Sequence, residues 1–156
     1  MANSFFGRSA GWLNTGGGSN SFFGAFASDS NLTGGNNAFF RTSSGSANID
    51  GSNNAFIGVL AGTNTTNGDR NTFVGTLAGV DNTTGRCNTY IGFNAKGAAG
   101  ITNSVAIGAN AIAGQSDGIY LGTPSQRVVI PGSLFLSGQA LAGQRSVFDF
   151  LDLPLR

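Results

Sequence analysis

An Asn that recurs at one fixed interval sets what this chain can fold into. Rows cut before it read NSFFGRSAGWLNTGGGS from Asn3, NSFFGAFASDSNLTGGN from Asn20 and NAFFRTSSGSANIDGSN from Asn37. NAFIGVLAGTNTTNGDR follows from Asn54 and NTFVGTLAGVDNTTGRC from Asn71. The interval does not change from Asn3 through Asn88. A shorter row, NTYIGFNAKGAAGIT, begins at Asn88, and NSVAIGANAIAGQSD begins at Asn103 with one extra residue before its Gly. Constant register of this kind marks a stack of structural repeats. The unit is too short for a strand–helix–strand crossover, which takes about 30 residues.

Each column of the alignment has a physical reading. Phe5, Phe22, Phe39, Phe56, Phe73 and Tyr90 form an aromatic column. Phe6, Phe23, Phe40, Ile57, Val74 and Ile91 form an apolar column directly after it. Aromatic and β-branched residues favour strands, and adjacent strand residues point to opposite faces. Two adjacent apolar columns predict a strand buried on both faces. A Gly column follows (Gly7, Gly24, Gly58, Gly75, Gly92), then a small one (Ala10, Ala27, Ser44, Ala61, Ala78, Ala95). A second Gly column comprises Gly17, Gly34, Gly51, Gly68 and Gly85. Glycine supplies positive φ and close backbone approach where a coil turns. Before it, Thr15, Leu32, Ile49, Thr66 and Thr83 suggest a second short strand. The rest is turn chemistry, and Thr65 reads as a turn residue tolerant of substitution.

Together these predict an all-β parallel solenoid, one coil per row, with coils about 4.8 Å apart. Six full rows would rise about 29 Å. Stacked Asn, including Asn103 in the last row, would form an amide ladder. One apolar face of each coil fills its interior. The other needs a partner, because soluble monomers rarely expose a continuous apolar stripe. A parallel homo-oligomer about the rod axis supplies it, and a homotrimer is the expected closure.

Composition narrows the function classes. Gly, Asn, Ser and Thr make up 72 of the 156 residues, while charged residues are 10%. There is no His and no Glu, which excludes a His-based triad, a His-ligated metal and a Glu base. A net charge of +1 offers no footprint for nucleic acid. Disorder is disfavoured by 40% hydrophobic content and 13 Phe. No apolar run is long enough for a membrane-spanning helix, so no membrane insertion is expected. The opening MANSFFGRSAGW shows no long apolar stretch of a secretion signal.

NSVAIGANA, residues 103–111, resembles the head repeat of trimeric autotransporter adhesins. NAFIGVLAGTNTTNG and NTFVGTLAGVDNTTGRCNTYIGFNA resemble the Asn-Thr-rich repeats of phage tail fibres and surface fibres. The resemblance covers about residues 3–122. It implies a left-handed parallel β-roll, a homotrimer, a fibre role, and a virion or extracellular, cell-surface setting. The 17-residue period is longer than usual for adhesin heads, and Arg41 breaks the Gly column.

Residues 1–118 are read as the solenoid domain, and 119–156 as a short non-repeat β segment that seals the trimer. IYLGTPSQRVVIPGSLFLSG, from Ile119, resembles the interwoven segments that end many fibre shafts. Near the C-terminus, Phe148, Phe150, Leu151, Leu153 and Leu155 crowd a short stretch, expected to dock or to seal the trimer.

Other candidates have bland readings. Arg41 is expected to carry its guanidinium out to solvent; the sharper alternative is an axial anion site where three copies meet. Trp12 and Phe26 could stack on a sugar, but an irregular cap over the open end is the simpler reading. Asp69 and Arg86 share a column in neighbouring rows and predict a surface ion pair. Cys87 reads as a free surface thiol. The Asp residues share no column and match no nine-residue calcium repeat, and no carboxylate pair suits glycoside hydrolysis. Neither a metal nor another cofactor is expected, and no catalysis. The expected function is a structural and adhesive trimeric fibre segment, as in a phage or phage-like tail fibre. It would project or form a surface for a host receptor or glycan and join other fibre or baseplate proteins. The alternatives are a bacterial adhesin head and, less favoured, an ice-binding solenoid built on Thr65, Thr66, Thr83 and Thr84.

Overall fold

The computed structural model describes residues 2–131. Each row opens with a three-residue strand. These are β1 (Ser4–Phe6), β2 (Ser21–Phe23), β3 (Ala38–Phe40), β4 (Ala55–Ile57), β5 (Thr72–Val74) and β6 (Thr89–Ile91). Then come β7 (Lys96–Gly97), β8 (Val105–Ile107), β9 (Ile112–Ala113) and β10 (Ile119–Leu121). Eight strands form one parallel sheet in the order β1-β2-β3-β4-β5-β6-β8-β10, and β7 and β9 form a second, two-stranded one. Among the described residues there is no helix. The fold is a parallel β-solenoid whose coils match the rows of the sequence. Its last strand lies past Gly118, so the sheet takes in Ile119–Leu121, which the sequence reading assigned to the C-terminal segment.

Register follows the rows. Phe5 pairs with Phe22, Phe22 with Phe39, Phe39 with Phe56, Phe56 with Phe73 and Phe73 with Tyr90. Their rings stack with centroids 4.6–5.2 Å apart and planes within 12° of parallel. The coil rise imposes that spacing. Phe22, Phe39, Phe56, Phe73 and Tyr90 are fully buried, with Ala27, Ala61, Ala78 and Ala95 packed beside them. Phe5 remains 38% exposed because no described coil lies above it.

Within one chain the strand buries one face, as the rows predict: Phe6, Phe23, Phe40, Ile57 and Ile91 are exposed and Val74 is half-buried. Three expectations are corrected. Thr15, Leu32, Ile49, Thr66 and Thr83 do not form a strand, although each of the first four donates its N–H to the next member's carbonyl, as Ile49 does to Thr66 at 2.9 Å. Asn103 is not in the Asn column. Thr89 pairs with Val105, so Ser104 occupies that place, while Asn103 lies outside and donates to Asp117 Oδ1. Thr65 is fully buried and donates its hydroxyl to the Asn82 carbonyl, so it is no tolerant turn residue.

The Asn column is a ladder of two distinct bonds. Asn54 Nδ2 donates to the Gly68 carbonyl at the far end of its own coil, at 2.8 Å. Asn54 Oδ1 accepts the backbone N–H of Asn71 in the next coil, at 2.9 Å. Asn20, Asn37 and Asn71 repeat this pattern. A second buried ladder, absent from the sequence reading, runs through Asn14, Asn31, Asn48, Thr65 and Asn82. Asn48 Nδ2 reaches Asn31 Oδ1 at 2.6 Å and the Gly51 carbonyl at 3.1 Å. The Gly51 carbonyl also accepts from Asn37 Nδ2 at 2.8 Å, so both its lone pairs are used. The second Gly column therefore serves close approach and not positive φ. A Cβ on Gly51 would lie 2.5 Å from Asn48 Oδ1 and from the Gly68 carbonyl oxygen.

A third small column also escaped the sequence reading. Gly11, Ser28, Gly45, Gly62 and Gly79 all have φ between 49° and 67°. A Cβ on Gly45 would stand 2.6 Å from the Phe39 ring. Ser28 carries a Cβ there, and its buried hydroxyl has no partner. The adjoining Phe22–Phe39 pair is the widest and most tilted of the inner stack, at 5.2 Å and 12°.

Among the described residues, one corner column breaks at Pro124 for a backbone reason. Ser9, Phe26, Ser43, Leu60, Leu77, Asn94 and Asn110 form one column, all with φ between 52° and 61°. Most of them donate N–H to the preceding coil, as Asn110 does to Phe93 at 2.8 Å. Pro124 comes next in that column. Its ring holds φ negative and removes the donor.

Replacing Asn54 with Ala strands the Asn71 N–H and the Gly68 carbonyl, and should cost about 3 kcal/mol in denaturant unfolding. Asn103→Ala should stay within about 0.5 kcal/mol. Equal effects would refute the register at Ser104. Ser28→Gly removes an orphaned buried hydroxyl and a side chain crowding Phe22, so it should stabilise by about 1 kcal/mol or more. Burial raises the Tyr90 phenol above its ordinary 10.0, opposed in part by its hydrogen bond with Ser104. Its contribution to stability is complete below pH 10 and lost as pH rises toward the folded value. Tyr90→Phe should therefore flatten the fall in melting temperature above that pH.

Candidate functional site

Outside the coil, the long sheet presents two columns on one face. Strand residues two apart share a face. The outer face therefore carries Phe6, Phe23, Phe40, Ile57, Val74 and Ile91, continued by Ile107 and Leu121. Beside them run Ser4, Ser21, Ala38, Ala55, Thr72, Thr89, Val105 and Ile119. Eight strands at about 4.8 Å spacing make this face about 34 Å tall.

Phe stands beside Ser or Ala in the first three strands. Ile or Val stands beside Ala or Thr in the next three, and Ile or Leu beside Val or Ile in the last two. The outer column is apolar in every strand, and its neighbour grows from Ser and Ala to Val and Ile along the sheet. The phenyl rings also stack outward: Phe23 and Phe40 lie 5.2 Å apart and within 5° of parallel, while Phe6 and Phe23 lie 6.3 Å apart at 27°. Phe6 is 75% exposed. Around the corner, Val59, Leu60 and Phe93 extend the apolar surface toward the middle and later coils.

The remaining candidates separate. Trp12 is 75% exposed on the first coil. Phe26 is half-buried at the next coil's corner, with the Arg8 guanidinium 5.1 Å over its ring. That contact contributes about 0.5–1 kcal/mol at an exposed site. Arg41 is exposed, at φ 99°, and its N–H donates to the Phe23 carbonyl at 2.7 Å. These three residues occupy different columns of successive coils and form no common site. Cys87 is exposed and free.

Asp69 and Arg86 do pair, at 3.7 Å, and Asp69 Oδ1 also accepts the Ser52 N–H at 2.8 Å. A second pair, Lys96 with Asp81 at 2.7 Å, went unread because Lys96 falls where the row shortens. Of the threonines weighed for ice binding, Thr65 is buried, and Thr66 and Thr83 donate to carbonyls of the next coil. Phe148, Phe150, Leu151, Leu153 and Leu155 lie outside the described residues.

Comparisons with protein-family models, with curated proteins and with solved structures return no match.

Proposed function

We propose that this chain is a structural and adhesive segment of a trimeric fibre, at a virion or cell surface. Three solenoids run in parallel and bury the outer face of the long sheet against one another. The observation that carries this reading is the uninterrupted apolar column, Phe6 to Leu121, along one face of a charge-poor rod. A solvated face has no reason to stay apolar in every strand, and soluble monomers rarely expose a continuous apolar stripe. A face packed against a copy in register does, because burying it stabilises the assembly.

Assembly leaves the polar turns outward. Those turns vary from coil to coil, so they are the natural place for receptor or glycan contacts. The core residues serve the rod and not the chemistry of a reaction.

Light scattering at micromolar concentration should give a mass near three times 15.8 kDa. Phe40→Asp and Ile57→Asp should each lower that mass toward the monomer without loss of the β spectrum, because both side chains are exposed in the single chain. Phe73→Asp should instead unfold the chain, since Phe73 is buried within its own coil. A folded wild-type monomer, or outer-face variants that remain trimeric, would refute the proposed interface.

A further inference from the structure

We propose that Asn67 and Gly68 form a self-modifying site: the Gly68 backbone nitrogen closes on the Asn67 side-chain amide, and the residue passes through a succinimide to aspartate and isoaspartate. This goes beyond the fibre reading and does not depend on it.

Of the Asn residues in the chain, Asn67 alone precedes a Gly. A Cβ on the following residue hinders its nitrogen from reaching the Asn side chain, and Gly has none. The structure leaves both reacting groups untied. Asn67 is exposed, and its side-chain amide has no hydrogen-bond partner among the described residues. Two other exposed Asn are held: Asn64 Nδ2 donates to the Val80 carbonyl and Asn103 Nδ2 to Asp117 Oδ1, both at 2.8 Å. The nucleophile is also free. In its column, the N–H groups of Gly17, Gly34 and Gly85 donate to the carbonyls of Leu32, Ile49 and Ala99 in the next coil, at 3.3, 3.4 and 3.2 Å. The corresponding acceptor for Gly68 is the Thr83 carbonyl, which takes the N–H groups of Thr66 and Asn67 and not that of Gly68. Gly51 is untied in the same way. It follows Asp50, however, and a carboxylate resists a nucleophile where an amide does not.

The chemistry needs only water. The Gly68 nitrogen gives up its proton and bonds to Asn67 Cγ, and the amide nitrogen leaves as ammonia. Water then opens the ring. Attack at Cγ breaks its bond to the Gly68 nitrogen and restores the backbone, with aspartate at 67. Attack at the Asn67 carbonyl carbon breaks the original peptide bond instead. The backbone then runs through Cγ and is one methylene longer.

The place of the change makes it felt. The Gly68 carbonyl, one residue on, accepts Asn54 Nδ2 at 2.8 Å and closes the coil. A longer backbone just before it displaces that acceptor. Asp50 precedes residue 67 in the same column. Either product therefore sets a second carboxylate one coil away, about 4.8 Å along the stack, where like charges repel. Conversion loosens the ladder at Asn54 with time.

The test holds the intact chain at physiological temperature and mildly alkaline pH. Aliquots are digested with trypsin and compared by mass spectrometry with a sample digested at once. The peptide 42–70, bounded by Arg41 and Arg70, should show an amide becoming an acid at Asn67 before any other Asn. The rate should rise with pH, because attack needs the deprotonated nitrogen. Asn67→Thr, the residue this column carries at Thr33 and Thr84, should show no conversion there. An intact Asn67 over a period in which the urea-unfolded chain converts would overturn the proposal, as would equal conversion at Asn64. The converted chain should melt below the Asn67→Thr variant held beside it, and equal melting temperatures would overturn the effect on the ladder. No readout needs the trimer, so failure here leaves the fibre reading to its own test.

Discussion

Stacking a row upon itself puts every side chain beside its own kind at about 4.8 Å. That constraint decides which residues a column accepts. A column of carboxylates or ammonium groups would repel itself at every step. A column of Asn is self-complementary, because each amide carries both donors and an acceptor. Here Nδ2 closes the coil on its own Gly carbonyl and Oδ1 takes the N–H of the coil that follows, as at Asn37 with Gly51 and Asn54. The same atoms therefore fix coil circumference and coil-to-coil register. Two such ladders meet on a shared carbonyl, which leaves the Gly column no room for a Cβ. The scarcity of charge in the chain follows from the stack and carries no message about a ligand.

Departures from the ladder are where the coil changes. Thr65 interrupts the inner Asn column, turns its hydroxyl to the Asn82 carbonyl and leaves Asn48 Oδ1 without a partner. Ser104 replaces Asn in the outer column. It still donates its N–H and hydroxyl to Asn88 Oδ1, at 3.0 and 2.9 Å, and meets the Tyr90 hydroxyl at 3.0 Å. The coils after Asn88 are shorter, with Asn88 Nδ2 closing the first of them on the Ile101 carbonyl, Ala106 in place of a phenyl ring and β7 paired with β9. Arg41 shows the opposite tolerance: the corner accepts a side chain when φ falls to 99° from the 125–152° of its Gly neighbours.

The solenoid, its row length, its inner aromatic column and the Asp69–Arg86 pair were legible because each rests on a strict period. What stayed hidden was hidden by ambiguity of type. Asn14, Asn31, Asn48 and Asn82 keep the same period, but Asn among Gly, Ser and Thr also reads as turn chemistry. Asn103 and Ser104 offered two alignments, and only strand pairing at Val105 chose between them. Thr65 looks like its neighbour Thr66, yet one is fully buried and the other is not. Two adjacent apolar columns told that one face would fill the coil and the other would be left for a partner, but not which was which; burial places the Phe22 column inside and Phe23, Phe40 and Ile57 on the bare face.

The bare face then has to be explained by packing and not by folding. Every strand of the long sheet is held by the ladders and by its inner residue, so the outer residue is free to vary. Thr or Ser there would give a solvated sheet of the same backbone. The chain instead keeps Phe, Ile, Val or Leu outward in every strand from β1 to β10. Exposure to water gives no reason to keep that column apolar, and soluble monomers rarely show a continuous apolar stripe. A neighbour packed along the rod does, and a rod of the same pitch facing this one matches it strand for strand. A copy of the same chain in parallel register meets the condition without any further protein, which is why the proposed assembly starts from this face.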